Sequence, residues 1–178
     1  EVGVAARCVI NAAGPWLDKV RALDGEHRQL LRPTRGTHIL VPRIGRCEEA
    51  LYLTAGSDER LFFVIPWGAL SLIGTTDVDF ADDPDRVTPT SEDIDYLLEE
   101  SRRHLRGVEL TRGDVIAAFA GLRPLIAEDH ESASKVSREH RIVTSSSGLV
   151  SIGGGKYTTY RAVAEELADL VVERLGVT

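Results

Sequence analysis

The sequence contains no methionine, two cysteines and few aromatic residues, 6% of the total. Without methionine there is no initiator, and Glu1 leads within a few residues into an apolar run, Arg7 to Ile10. Both features predict an excised piece of a longer protein, with a processed N-terminus as the alternative. Cys8 and Cys47 form no CxxC pair and no zinc spacing, which argues against a disulfide framework and for a reducing, cytoplasmic setting. No apolar run approaches the ~18–20 residues that span a bilayer, and no basic segment precedes an apolar signal core. GxGxxG is also missing, so the pyrophosphate cradle of any nucleotide-binding α/β domain would lie upstream of Glu1. Positive charge is short as well, 21 Lys and Arg against 28 Asp and Glu, for a net charge of -7. That argues against nucleic acid as a partner, since phosphate-backbone binding depends on surplus cations. A small phosphate ligand needs only a few local cations and stays open.

What is present is ordinary globular material, 43% hydrophobic and 28% charged over 178 residues. That length suits one domain with a full core or one and a half smaller units. A short strand over Arg7–Ile10 ends at Asn11-Ala-Ala-Gly14. Pro15 follows at a favoured first helical position, and Trp16, Leu17, Val20 and Leu23 share one helical face. A turn-rich opening, Leu30 to Thr37, leads into a strand that begins at His38. Strands are expected at 51–54, 61–66 and 69–74, the last two joined as a hairpin through Trp67-Gly68. Thr90 and Asp93, or Ser91, can cap a helix with Ile94, Leu97, Leu98 and Leu105 on its buried face. Further strands read at 115–122, 141–144 and 149–152, with Ser145 to Gly148 as a turn. There is no internal repeat and no low-complexity segment. The predicted fold class is α+β, with α/β pieces at the two ends and an inserted antiparallel sheet between them.

The most informative segment is Ser151-Ile-Gly-Gly-Gly-Lys-Tyr-Thr-Thr-Tyr-Arg161. Strand, glycine bend and helix N-terminus in that order present backbone N–H groups and a positive dipole end to an electron-rich ligand. The plainer reading is a tight strand-to-helix connection that needs a glycine. A P-loop is excluded, because Val150 stands where its first glycine belongs and Tyr157 where Ser or Thr follows the lysine. The acidic loop Asp77 to Asp83 departs from a calcium loop, with Ala81 and Asp82 in ligand and glycine places; a solvated loop is expected, and no metal site. His130-Glu131 is followed by Ser134 where HExxH needs its second histidine. His27, His104 and His140 read as surface histidines. His38, after Arg35-Gly36-Thr37, can point into a cleft or serve as a hydrogen-bonded structural residue. Arg123, at the end of an apolar strand, needs an anion, either a structural carboxylate or a substrate.

Five segments occur in order: Asn11-Ala-Ala-Gly-Pro-Trp16, Arg32-Pro-Thr-Arg-Gly-Thr-His38, Gly74-Thr-Thr-Asp77, Ala120-Gly-Leu-Arg-Pro-Leu125 and Gly153-Gly-Gly-Lys-Tyr-Thr-Thr-Tyr-Arg161. Together they resemble the FAD-dependent glycerol-3-phosphate dehydrogenases, within the wider group that includes glycine and D-amino-acid oxidases. The resemblance covers nearly the whole chain. It implies an FAD-binding α/β domain over residues 1–27 and 148–178, and an antiparallel substrate-binding cap over 28–147. It also implies oxidation of sn-glycerol 3-phosphate to dihydroxyacetone phosphate, with electrons passed to quinone and peripheral contact with the inner face of the cell membrane. An amino-acid or amine oxidase of the same architecture is the alternative, and the isolated chain is expected to be a folded module without activity.

The resemblance further implies which residues do this. Ala13, Gly14, Gly153, Gly154, Gly155, Lys156, Tyr157 and Thr158 would contact FAD, with Lys156 and the glycine bend beside the flavin pyrimidine edge. Arg123 would hold a substrate oxygen or phosphate, with charge added by Arg35 or Arg161 and by Lys156. His38 would be the base, since imidazole titrates near neutrality. Oligomeric state is not legible.

Overall fold

Side chains alternate along Leu61-Phe-Phe-Val-Ile65 so that Phe62 and Val64 are buried while Leu61 and Phe63 are exposed, the period-two signature of a sheet covered on one face. This pattern recurs through a computed structural model that describes residues 2–46, 48–127 and 139–177. In chain order the elements are β1 (Ile10–Asn11), α1 (Leu17–Leu23), β2 (Leu31–Pro42), β3 (Leu51–Thr54), β4 (Leu61–Trp67), β5 (Leu70–Gly74), β6 (Val78–Asp79), α2 (Ser91–His104), β7 (Ala117–Ile126), β8 (His140–Thr144), β9 (Val150–Gly154) and α3 (Tyr160–Leu175). The chain divides into two units, Glu1–Pro33 with Arg123–Thr178, and Thr34–Leu122. The mixed α+β class with a large antiparallel sheet is the one the sequence predicted.

In the first unit, β1 pairs parallel with β9, and β9 pairs antiparallel with β8. Strand β1 is shorter than the apolar run suggested, with Val9 and Ile10 both exposed. Pro15 sits in a 3-10 turn, Gly14–Trp16, rather than opening α1 directly. The helix buries Leu17 and Arg21, not Leu23, which is 89% exposed. Arg21 is tolerated inside because its guanidinium meets Asp18 at 3.0 Å and the Arg28 carbonyl at 2.7 Å. Asp18 in turn accepts the Leu30 and Leu31 amides, anchoring the start of β2 to α1. Leu17, Leu31 and Ile126 form the core of this unit.

The second unit is built on the strand order β3-β4-β5-β2-β6, with β7 also paired to β2. The β4–β5 hairpin turns through Gly68-Ala69, one residue later than predicted, because Trp67 still pairs with Leu70; Gly68 supplies the positive φ of 60°. Helix α2 covers one sheet face and buries Leu97 and Leu98, with Ile94 and Leu105 packed beside them, as its periodicity predicted. Thr90 caps it through the Asp93 amide at 3.3 Å, and the Asp93 side chain reaches back to the Thr90 amide.

Two strands run further than the sequence suggested. Strand β2 begins at Leu31 and includes the Arg32–Thr37 segment, so His38 stands within the strand rather than at its start. Strand β7 continues through Arg123 and Pro124, so Arg123 is a half-buried residue within the strand rather than at its end.

Candidate functional site

In the first unit the register Asn11↔Ser151 sets two neighbouring parallel strands side by side. Both therefore run out at the same edge. Ala13 and Gly14 follow β1 there, and Gly153 to Thr158 close β9 and lead to α3. The carboxyl ends of adjacent parallel strands are where open α/β sheets bind ligands. Asn11 shapes the first turn: its buried side chain donates to the Leu17 carbonyl at 3.0 Å and accepts the Ala13 amide at 3.2 Å. Gly14 takes a positive φ of 57°.

The three glycines of the bend have three different reasons. A Cβ on Gly153 would press on Ile126, Leu31 and Leu17 at 3.0–3.3 Å, so this residue is small because the core leaves no room. Gly154, φ 73°, pairs with His140, and a Cβ there would overlap the Glu139 carbonyl oxygen. Gly155, φ 81°, donates to that carbonyl at 3.3 Å. The predicted glycine turn is thus partly strand: Gly153 and Gly154 belong to β9. Lys156 and Tyr157 are exposed, Tyr157 at 91%. Thr159 does not cap α3; its hydroxyl accepts the Lys156 amide at 3.2 Å and closes a 3-10 turn, Tyr157–Thr159, ahead of the helix. The outer side of the bend and the first turn of α3 remain open. Backbone amides in a first turn have no intrahelical carbonyl, and glycine there lets a ligand approach the backbone closely. This donor set fits the electron-rich edge of a flavin.

In the second unit His38 is the centre of a cross-strand row. It pairs with Gly74 on β5, and Gly74 pairs with Phe63 on β4, which pairs with Tyr52 on β3. On the other side of β2, the Phe119 ring of β7 stacks on His38 at 5.2 Å between centroids, 9° from parallel. Tyr52 and Phe119 are 59% and 49% exposed, so this face lies open, opposite the one covered by α2.

Arg35 belongs to the covered face. Its Nε lies 2.9 Å from Asp93 Oδ2, close but without hydrogen-bond alignment, and its Nη2 donates to Thr90 at 3.3 Å. Thr37 donates to the same carboxylate at 2.8 Å, and its amide reaches Thr76 at 3.0 Å. Asp93 is therefore a hub joining β2, α2 and, through Thr37, the segment after β5. Burial alone would raise its carboxyl, but the Thr37 and Thr90 hydrogen bonds and the Arg35 charge outweigh this and hold it below the ordinary range.

Alternation along β2 thus separates Arg35 from His38, while β1 and β9 bring Ala13 and Gly14 beside the glycine bend. Arg123 and Lys156 fall in the first unit, His38 and Arg35 in the second. His104 is exposed, as expected, and His140 is half-buried; both have partners. His104 Nδ1 lies 2.9 Å from the Glu100 carbonyl, and His140 Nε2 lies 2.7 Å from Glu166. No cluster of metal-binding side chains occurs among the described residues, and His130-Glu131 lies outside them. Sequence reasoning assigned no site role to Asn11 or Gly74, which only head two of the five segments, to Asp93, which read only as a cap, or to Phe119. The signals for Gly74 were its place at the head of the Gly74–Asp77 segment and a glycine closing an apolar strand.

The profile of the family described as FAD dependent oxidoreductase matches residues 1–170. The chain is 41% identical to the mitochondrial glycerol-3-phosphate dehydrogenase of Mus musculus, covering 97% of the chain and 24% of that protein. It is 40% identical to glycerol-3-phosphate dehydrogenase 2 of Mycobacterium tuberculosis, covering 96% and 29%. Among solved structures it resembles the glycerol-3-phosphate dehydrogenase of Bacillus halodurans complexed with FAD, at 37% identity and a TM-score of 0.84, covering 98% of the chain and 34% of that one. The chain thus spans about a quarter to about a third of the length of the proteins it matches. A match over nearly its full length places it: the chain belongs to the family of FAD-dependent oxidoreductases.

Proposed function

We propose that this chain is the part of an FAD-dependent glycerol-3-phosphate dehydrogenase that meets the flavin ring and the substrate. The whole protein oxidises sn-glycerol 3-phosphate to dihydroxyacetone phosphate and passes the electrons to quinone, in peripheral contact with a membrane. The observation that carries this reading is the pair of parallel strand ends, where the Asn11–Gly14 turn and the glycine bend lie side by side at the start of α3. Residues 1–27 and 148–178 serve the FAD-binding domain, and residues 28–147 form the cap.

FAD, when bound, supplies the two-electron acceptor for the hydrogen on C2. The chain's own residues do the rest. Ala13, Gly14 and Gly153 to Thr158 offer backbone donors and close approach, and the Lys156 ammonium adds positive charge beside the helix N-terminus. Arg123 holds the phosphate or the reacting oxygen, a task suited to a planar guanidinium. His38 accepts the proton of the C2 hydroxyl. Arg35, committed to Asp93 and Thr90, contributes by fixing β2.

The test uses the full-length protein. Glycerol 3-phosphate, and not glycine, should bleach the flavin absorbance under anaerobic conditions; bleaching by glycine instead would assign the chain to the amine oxidases. Arg123→Ala should raise KM or cut kcat by roughly 100-fold, the scale of a lost charged contact worth about 3 kcal/mol. His38→Asn should cut kcat by about 100-fold or more. Unchanged kinetics in either variant removes that assignment. The isolated chain, which carries no GxGxxG, should purify colourless.

A further inference from the structure

The open face of the second unit carries a glycine that the sheet itself does not need. Gly74 ends a strand whose other residues, Leu70-Ser-Leu-Ile, all carry side chains. Glycine weakens a strand relative to alanine, so its presence calls for a close approach. The neighbour that makes the approach is His38. A Cβ on Gly74 would overlap His38 Cδ2 and would fall 2.7 Å from Cγ and 2.8 Å from Nε2. The imidazole therefore lies down across β5 in the volume an alanine methyl would fill, instead of standing upright from β2. On its other side the Phe119 ring lies parallel to it. Gly74 fixes which way the ring leans, and Phe119 fixes the plane in which it lies.

Resting on the reading of His38 as the base, we infer that Gly74 and Phe119 are positioning residues that lock the His38 imidazole in its working orientation. Neither touches the reacting atoms; both act through the ring between them. A base must sit within hydrogen-bond reach of the proton it takes, and a misplacement of about 1 Å can cost about 100-fold in rate. Alanine at 74 has nowhere to put its methyl unless the imidazole swings away.

The experiment measures kinetics and histidine resonances in the full-length protein, with 13C-labelled histidine and His38→Asn used to assign the His38 signal. Gly74→Ala should lower kcat by about 100-fold, leave KM within about twofold because Arg123 holds the substrate, and distort the kcat–pH profile. It should also move the His38 ring resonance. Phe119→Leu should remove the ring-current shift on His38 and lower kcat more modestly, and it serves as the test if Gly74→Ala does not fold. In a His38→Asn background Gly74→Ala should cost nothing further. An equal loss in that background, or an unmoved His38 resonance, overturns the proposal. If His38→Asn alone keeps full activity, the base reading fails. The resonance then decides the clamp by itself: a shift in Gly74→Ala upholds it, and no shift overturns it.

Discussion

The two units of this chain handle burial in opposite ways. Among the described residues the second unit buries nine hydrophobic side chains in one cluster, from Ile39 on β2 to Leu110 after α2, and adds a satisfied ionic hub at Asp93. The first gathers three in a cluster, Leu17, Leu31 and Ile126, with Leu125, Leu149 and Val150 buried outside it, while Val2, Val4 and Val9 are more than half exposed and α3 has no buried residue. Apolar surface taken from water is the main term favouring folding, so the second unit carries most of its own stability. The first is held more by backbone shape, in the turns at Gly14, Gly154 and Gly155, and by polar anchors such as Asp18. Deep burial suits a platform that must keep a side chain such as His38 in register. An open strand edge with bare glycines suits a surface meant to receive something else.

The sharpest way to break that contrast is to empty the larger core. Phe62 is fully buried and meets His104 edge-on at 5.6 Å. Phe62→Ala should lower stability by about 3–5 kcal/mol, whereas Leu23→Ala, in the first unit and 89% exposed, should stay within about 0.5 kcal/mol. Urea midpoints for the two variants check this. Similar midpoints would show that the second unit does not dominate.

Next in size is the hub. Asp93→Asn removes the charge that Arg35 faces and weakens the cap of α2, at a cost of about 2–3 kcal/mol. Because the folded carboxyl titrates below its ordinary value, its contribution is whole above about pH 4 and is lost as pH falls through the folded pKa, where the unfolded chain binds the proton more readily. Wild type and variant should therefore converge in urea midpoint as pH drops below that point. A gap that stayed constant with pH would mean that Asp93 acts by shape alone.

In the first unit the glycines separate backbone strain from steric room. Gly14→Ala meets only an unfavourable φ, with nothing within 4 Å of its Cβ, and should cost about 1 kcal/mol. Gly154→Ala meets the same φ penalty and the Glu139 carbonyl besides, and should cost about 2 kcal/mol or more. Equal losses would mean that β8 yields to the methyl.

These particular residues also mark what a sequence can disclose. Helix α2 was legible to its cap, because Thr90, Asp93 and the Ile94–Leu105 spacing are all local signals. The strand order was not, since nothing in the sequence states that β2 lies between β5 and β7. Hence the histidine could be named but not its neighbours: Gly74 and Phe119 lie 36 and 81 positions away and meet it only through pairing. The glycine bend was legible as a bend, yet its first two residues are strand because Arg141 and His140 pair with them. The partner of Arg35 was hidden for a similar reason. A half-buried arginine needs an anion, and only the fold supplies Asp93.

The smallest effect separates the units by alkaline titration. Tyr96 on α2 is half-buried and donates to Asp58 at 2.9 Å, and these two influences, burial first, push its phenol up to about 12. A phenol whose folded pKa lies above the unfolded value of about 10 keeps its proton when the unfolded chain has lost it, so folding loses stability as pH rises from about 10 toward 12. The hydrogen bond ties α2 to the turn between β3 and β4, so the loss falls on the second unit. Tyr96→Phe should remove the latest step from the near-ultraviolet phenolate titration and flatten the alkaline decline in thermal stability. A first unit that melted over the same pH range, through its own tryptophan Trp16, would show that the two cores unfold as one.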